Sequence, residues 1–434
     1  MRFSRDVAAT FAARIGMVGL GVASSVLTAR ALGPGGRGIL ATLGALSGIG
    51  LQLGNLGLHA SNTYQVSRDR SLLARLWGNS RRTSWALGIG LALLTVALAW
   101  AVPPILGEIR PSLLLVSVAC IPFQLLFLLG LNLLVGLGRI PLFNVLEVAF
   151  RGIGVGALFV VLVLLGGDIE WVLVLNLLIA AGGALAVARV LQGLVRASGE
   201  GRSRTDLALF RSSVGYGART YTASLLAYLI VRSDMLLVNT LKGTADAGIY
   251  SIAVQVADVI YLLPMSIGIV LFPRLARQGE GDPLFAMKVA RHTAFLLFLL
   301  CAAAALLARP AVALLYGPGF APSVEALWWL LPGIWAFGVS TQISIQLASS
   351  GMPLSGVLIW IPPLLLNVAL NLSWIPRWGI NGASASSSLC YFLVLALHLA
   401  LWRRRIRGSL RSALLLRRSD LQEIGSLAGI TGWS

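Results

Sequence analysis

The sequence predicts an all-α integral membrane protein of about twelve transmembrane helices in two pseudo-symmetric six-helix lobes. Three observations carry that prediction. Hydrophobic residues make up 57% of the 434, charged residues 12%, and the mean hydropathy is +0.85, whereas soluble domains run roughly 45–50% apolar and about 25% charged. Apolar runs such as 113–137 and 295–315 reach the ~20 residues that cross a bilayer as a helix. Finally, GPGGRGI at 33–39 returns in outline as GTADAGI at 243–249, an offset of 210, each time between two long apolar runs. Gly138-Arg139-Ile140-Pro141 and Gly351-Met352-Pro353 repeat at almost the same offset. In a chain with 48 glycines, these matches gain weight from their equivalent places in the hydropathy pattern.

The first helix, 8–32, is read as retained, because MRFSRDVAATFAARIGMVGLG has no short apolar core followed by an A-x-A cleavage site. The others are expected at 38–66, 83–106, 112–137, 142–166, 170–194, 211–240, 247–273, 292–315, 325–350, 355–374 and 381–402, bounded by Gly, Pro or Arg clusters. Residues 1–196 thus form an N-terminal lobe and 211–402 a C-terminal lobe. Residues 197–210, rich in Gly, Ser and charge, read as a cytoplasmic linker, and 403–434 as a basic cytoplasmic tail. The loops 107–111, 166–168 and 316–323 leave no room for an extracytoplasmic domain. Prolines 264, 332, 362 and 363 fall within spans and predict kinks.

An even number of passes puts both termini on one side. Roughly 22 of the 34 basic residues lie in loops and tails on that side, against about six opposite, among them Arg68, Arg70, Arg75, Arg81, Arg82 and Arg403 to Arg405. Both termini are therefore expected in the cytoplasm. The net charge of +18 reports topology and not a nucleic-acid partner, since the arginines cluster in loops. Those of the tail read as a topology anchor or as a contact for anionic headgroups. Lysine occurs only at Lys242 and Lys288, an arginine bias that suits a GC-rich bacterial genome. Cys120, Cys301 and Cys390 sit in apolar runs without a CxxC spacing, so neither disulfide nor metal is expected. There is no Walker loop, nucleophile elbow or metal motif, so no cofactor and no enzymatic chemistry are expected.

Charges inside a membrane are costly and mark function by default. They are Arg14, Glu147, Arg151, Arg219, Arg232, Asp234 and Asp258. At ~1.5 Å per residue, Arg14, Arg151 and Arg219 lie roughly 9–14 Å in from the cytoplasmic ends of their helices, at one depth, and Arg232 about 12 Å from an outer end. Two readings stand for Arg14 and Arg219: walls of a central cavity, or side chains snorkelling to lipid phosphate. Glu147 stands four residues before Arg151, the order that favours an intrahelical ion pair. Arg232 and Asp234, two apart, cannot face each other on a helix, so each needs another partner. Asp258 has no basic residue at i±3 or i±4 and is the leading proton-site candidate, a neutral hydrogen-bond donor being the other reading. Gln52, Asn55 and His59 form a polar stripe on one helix, suited to sugar hydroxyls or to interhelical hydrogen bonds. His292 and His398 are read as structural.

Two segments resemble a known family. ARALGPGGRGILATLGALSGIGLQLGNLGL, residues 29–58, resembles the first repeat of polysaccharide flippases of the Wzx type, and RSDMLLVNTLKGTADAGIYSIAVQVADVIYLLPMSIGIVLFPRLAR, residues 232–277, the second. The resemblance covers nearly the whole chain and extends to a superfamily that includes multidrug extruders and lipid II flippases. It implies two lobes packed as a V that rock around a cavity and translocate a polyprenyl-pyrophosphate-linked oligosaccharide across the bacterial cytoplasmic membrane. Membrane lipids and other glycan-assembly membrane proteins are the partners it implies. The tail after Trp402 reads as too polar for the two extra C-terminal helices of lipid II flippases, and the first helix has Arg14 and no carboxylate, unlike many drug extruders. Arginine chemistry suits the pyrophosphate: Arg14, Arg151 and Arg219 are the expected capture site and Arg232 the next station. Asp234, Asp258 and Glu147 are candidates for coupling to a proton or sodium gradient. The competing readings are a cation-coupled multidrug exporter, which calls for acidic cavity residues, and a glycan polymerase or ligase, which calls for a large external loop.

Overall fold

The computed structural model describes residues 2–101, 106–198, 205–277, 283–349 and 354–405. The helices are α1 (Arg2–Asn55), α2 (Leu58–Arg68), α3 (Leu73–Ala101), α4 (Pro111–Val118), α5 (Cys120–Gly136), α6 (Ile140–Phe159), α7 (Ile169–Ala197), α8 (Leu207–Lys242), α9 (Thr244–Arg277), α10 (Pro283–Leu315), α11 (Ser323–Ser349), α12 (Leu354–Leu358) and α13 (Ile361–Arg405). A π-helical turn, Val160–Leu164, prolongs α6. Nine helical stretches among the described residues are long and apolar enough to cross a membrane. Two of them hold two passes each, because α1 breaks at Gly33 (φ 66°) and α13 at Gly379 (φ 58°). With α11, this makes the twelve passes that hydropathy predicts. The outer surface is apolar: Leu306 is 80% and Leu314 74% exposed, a surface that lipid covers and water would not.

The turns at one end of the bundle repeat. Gly33, Gly107 and Gly166 in the first half, and Gly243, Gly317 and Gly379 in the second, all have φ between 55° and 91°. Only glycine adopts this left-handed backbone at little cost. The first two pairs keep the offset of 210 and the third stands at 213. The duplication therefore runs the length of the chain and includes one insertion of three residues.

Several boundaries differ from the hydropathy reading. The expected 38–66 helix is interrupted at Leu56 (φ 47°) and Gly57 (φ 72°), which separate α1 from α2. Helix α3 begins ten residues early, since Arg75, Arg81 and Arg82 are helical although polar. Pro362 and Pro363 follow a break at 359–360 inside the pass that opens at Leu354; they occupy the first turn of α13, after the chain leaves α12, where a missing N–H costs nothing. Pro332 lies within α11. The end of the linker is also ordered: Asp206 caps α8 by accepting from Leu209 N–H at 2.9 Å. That bond holds the Asp206 carboxyl below its ordinary range. Asn79 of α3 clasps the Asp206 backbone from both sides, donating to its carbonyl and accepting from its N–H, each at 2.8 Å.

One hydrophobic core draws on α8 to α13 and includes Tyr250, Phe337 and Tyr391, together with Ala29 and Ala45 of α1. Another joins α2, α3, α5 and α7 around Trp77 and Leu133. The two halves meet where α1, just past Gly33, crosses the start of α9. A Cβ on Gly38 would lie 1.7 Å from the Thr244 carbonyl oxygen, and one on Gly248 1.9 Å from that of Pro34. Thr244 and Gly248 are the repeats of Pro34 and Gly38, so the contact is reciprocal, as across a two-fold axis. The halves also touch at the opposite, arginine-rich end. There the rings of Tyr64 and Tyr216 stack at 4.4 Å, and Gln65 donates to Ser213 at 2.9 Å.

Candidate transport cavity

Between the halves lies a cavity of about 950 Å³. Its walls are α1 on both sides of Gly33, the facing ends of α4 and α5, α6, α7 and the middle of α9. It runs from Arg37, beside the Gly38–Gly248 crossing, to Arg14, Ile15 and Ser266 towards the arginine-rich end. Ile15 is 59% exposed there. Most of the lining is apolar, but Arg14, Arg37, Arg151, Gln124, Asn176 and Gln255 put polar groups into it. A smaller cavity of about 240 Å³ adjoins it through Arg37, Gly44, Gln255 and Asp258, and reaches Tyr228, Arg232 and Asp234 on α8.

The structure brings Arg14 and Arg151 to the same wall. Arg14 Nη1 lies 3.6 Å from Glu147 Oε1. Glu147 therefore pairs across helices, and not with Arg151 on its own helix as the four-residue spacing suggests: the approach of α1 to α6 offers it a second arginine. Arg151 is exposed to the cavity, its Nη2 3.4 Å from where a Cβ on Gly21 would stand. Arg219 lies on α8, but its side chain is outside the described residues.

Three other expectations are corrected. Arg232 is no free cationic station: its Nη2 donates to Asp258 Oδ2 at 2.8 Å, and its guanidinium sits 6.0 Å from the centre of the Tyr228 ring. Asp258 is for the same reason no lone carboxylate. Its partner comes from α8, twenty-six residues away, where a scan of i±3 and i±4 does not reach. The Gln52, Asn55 and His59 stripe lines neither cavity. Asn55 Nδ2 and His59 Nδ1 bond each other at 2.7 Å, and the Gln52 carbonyl accepts from the Tyr221 hydroxyl of α8. The break at Leu56 and Gly57 turns the stripe into a contact between helices.

Asp234 is 2% exposed and held by donors other than cations. Its carboxylate accepts from Tyr250 Oη at 2.5 Å, Ser387 Oγ at 3.2 Å and the Met235 N–H at 2.7 Å. Behind it, Asn367 accepts from Ser233 at 3.2 Å and from Asn371 at 3.0 Å, and Asn367, Asn371, Ser386 and Ser387 are fully buried. A polar cluster this deep is organised around one negative charge.

Arg37 is the residue that sequence reading misses. It falls inside GPGGRGI, read as an external turn, yet the helix resumes at Pro34 and carries Arg37 into the bundle. Proline at a first helical position was the available signal.

A family described as polysaccharide biosynthesis protein matches residues 3–278, well over half of the chain. The chain belongs to that family. No curated protein matches this member of it. Its fold is shared with solved multidrug transporters and with a lipid II flippase. An inward-facing conformation of a multidrug resistance MATE family transporter is 13% identical, with a TM-score of 0.76 over 89% of this chain and 94% of the other. The lipid II flippase MurJ in an inward closed conformation is 12% identical, with a TM-score of 0.74 over 99% and 93%. An outward-facing multidrug transporter is 15% identical, with a TM-score of 0.64 over 93% and 96%. The polysaccharide biosynthesis protein is thus a multi-pass membrane protein of MATE-like fold.

Proposed function

We propose that this polysaccharide biosynthesis protein is a flippase for a polyprenyl-pyrophosphate-linked oligosaccharide, working by alternating access in the bacterial cytoplasmic membrane with both termini in the cytoplasm. The observation that carries the reading is Arg151, a guanidinium on the cavity wall that Glu147 leaves to face the cavity while pairing with Arg14. A pyrophosphate group supplies the anion such a site lacks, through paired N–H···O bonds. With the arginine-rich end in the cytoplasm, the Arg14 and Arg151 end of the cavity faces the leaflet where such a cargo is made. The apolar walls and lipid-exposed helices leave its chain in the bilayer.

The test is flipping of a fluorescent polyprenyl-pyrophosphate oligosaccharide in proteoliposomes. Arg151→Ala is expected to lower the rate at least about tenfold, equivalent to ~1.4 kcal/mol of cargo stabilisation, at unchanged protein content. Undiminished flipping by the variant overturns the site. A protein that moves cationic dyes and no lipid-linked glycan is a multidrug exporter instead.

Asp234 is the coupling residue of this proposal, because Asp258 and Glu147 are already ion-paired. A proton or a sodium ion binding its buried carboxylate changes the charge inside the C-terminal lobe. Flipping by the parent protein is expected to slow when the ion gradient is collapsed, and flipping by Asp234→Asn to be slow with or without it. Gradient dependence that survives in Asp234→Asn rules this out.

A further inference from the structure

The geometry points to a second anion site at Arg37, whose occupation by a phosphate group of the cargo releases a bond that joins the two lobes. The inference rests on the flippase reading and concerns the opposite end of the same cavity. Arg37 Nε donates to Ser251 Oγ of α9 at 3.1 Å, and its Nη1 to Thr28 Oγ1 at 3.1 Å. Both hydroxyls are oriented by their own donation to helix carbonyls, Ser251 to Gly248 at 2.7 Å and Thr28 to Ser24 at 2.9 Å. Ser251 is 4% and Thr28 3% exposed. Two of the five guanidinium N–H groups are thereby used, and no carboxylate forms an ion pair with Arg37 among the described residues. Arg37 is half-buried and lines both cavities beside Asp258, whose carboxylate is paired with Arg232, so its guanidinium is held by neutral hydroxyls where an anion in the cavity can reach it.

The site is separate from the Arg14 and Arg151 wall. At ~1.5 Å per residue, Arg37 lies roughly 6 Å from the Gly33 turn, whereas Arg151 lies about 22 Å from Gly166 and Arg14 about 28 Å from Gly33. One pyrophosphate does not span that distance, so the group moves between the two sites or a second acidic group on the glycan occupies Arg37. The Arg37–Ser251 bond crosses between halves one residue from the Gly38–Gly248 contact. A bidentate contact with an anion adds Coulombic attraction and a second parallel N–H···O bond that the neutral Ser251 hydroxyl does not supply. An anion at Arg37 therefore replaces Ser251 and binds best to the form in which the lobes have parted at that end, which shifts the population towards it.

The experiment uses the full chain in lipid nanodiscs, with spin labels at Glu108→Cys and Glu325→Cys, exposed positions at the glycine-turn end of either half. The native cysteines are buried and do not compete for label. Inorganic pyrophosphate is the probe, its binding followed by calorimetry and the label-to-label distance by pulsed electron resonance. Pyrophosphate is expected to lengthen the distance in the parent. Arg37→Ala is expected to remove that response, and Ser251→Ala to populate the long distance without any anion. The same response in Arg37→Ala as in the parent overturns the site, as does a Ser251→Ala distance indistinguishable from the parent's. Cargo flipping by the parent keeps the two ideas apart: a parent that flips cargo while Arg37→Ala responds normally defeats only the Arg37 site. A parent that flips no cargo defeats the flippase reading.

Discussion

Gly38→Ala and Gly248→Ala are each expected to destabilise the protein by about 3 kcal/mol or more, the upper range for overpacking, although helix propensity favours alanine by about 1 kcal/mol. The new Cβ at 38 meets the Thr244 carbonyl oxygen at 1.7 Å and Gly248 N at 2.7 Å; at 248 it meets the Pro34 carbonyl oxygen at 1.9 Å and Gly38 N at 2.9 Å. All four obstacles are backbone, so no side-chain rotation relieves them and α1 has to move off α9. The control is Gly90→Ala in α3, where a Cβ has nothing within 4 Å and the propensity gain stands alone. Melting temperature and monodisperse yield in detergent decide the matter. A Gly38→Ala protein that melts with Gly90→Ala would mean that the halves do not cross at these glycines.

The second large effect concerns Arg232 and Asp258. Their 2.8 Å bond joins α8 to α9 inside the C-terminal half, with side chains 27% and 38% exposed. Removing one member leaves the other charge without its partner, which costs about 3–5 kcal/mol for a fully buried pair and less at this exposure. Arg232→Ala and Asp258→Ala are each expected to slow flipping at least about tenfold, near 1.4 kcal/mol, and to lower the melting temperature. The exchanged protein, Arg232→Asp with Asp258→Arg, is expected to regain both in large part. If Arg232 were instead a free station for anionic cargo, Asp258→Ala would be neutral or beneficial and the exchange would rescue nothing. That pattern would overturn the pairing.

Much of the architecture is legible along the chain. Long apolar runs, the GPGGRGI and GTADAGI turns and the Gly138 and Gly351 turns predict the passes and the duplication, because a membrane helix satisfies its own backbone and announces itself within some twenty residues. Boundaries are less legible where polar residues are helical, as at the start of α3, or where an apolar run hides a break, as at Leu56 and Gly57. Among site residues, the need of Arg232 and Asp234 for partners other than each other follows from their spacing alone. Which partners they find does not.

Sequence by itself thus determined the class of protein, the number of passes, the internal repeat and the identity of the charges that lie within them. Tertiary structure decided how those charges are shared. Glu147 goes to Arg14 and not to Arg151, Asp258 goes to Arg232, and Arg37 ends between the halves on Ser251. The physical reason is one of range. Helix formation and membrane insertion are local, set by a few turns of chain, whereas an ion pair is set by which helices cross. Here the crossing depends on two glycines 210 residues apart whose missing side chains let the backbones touch.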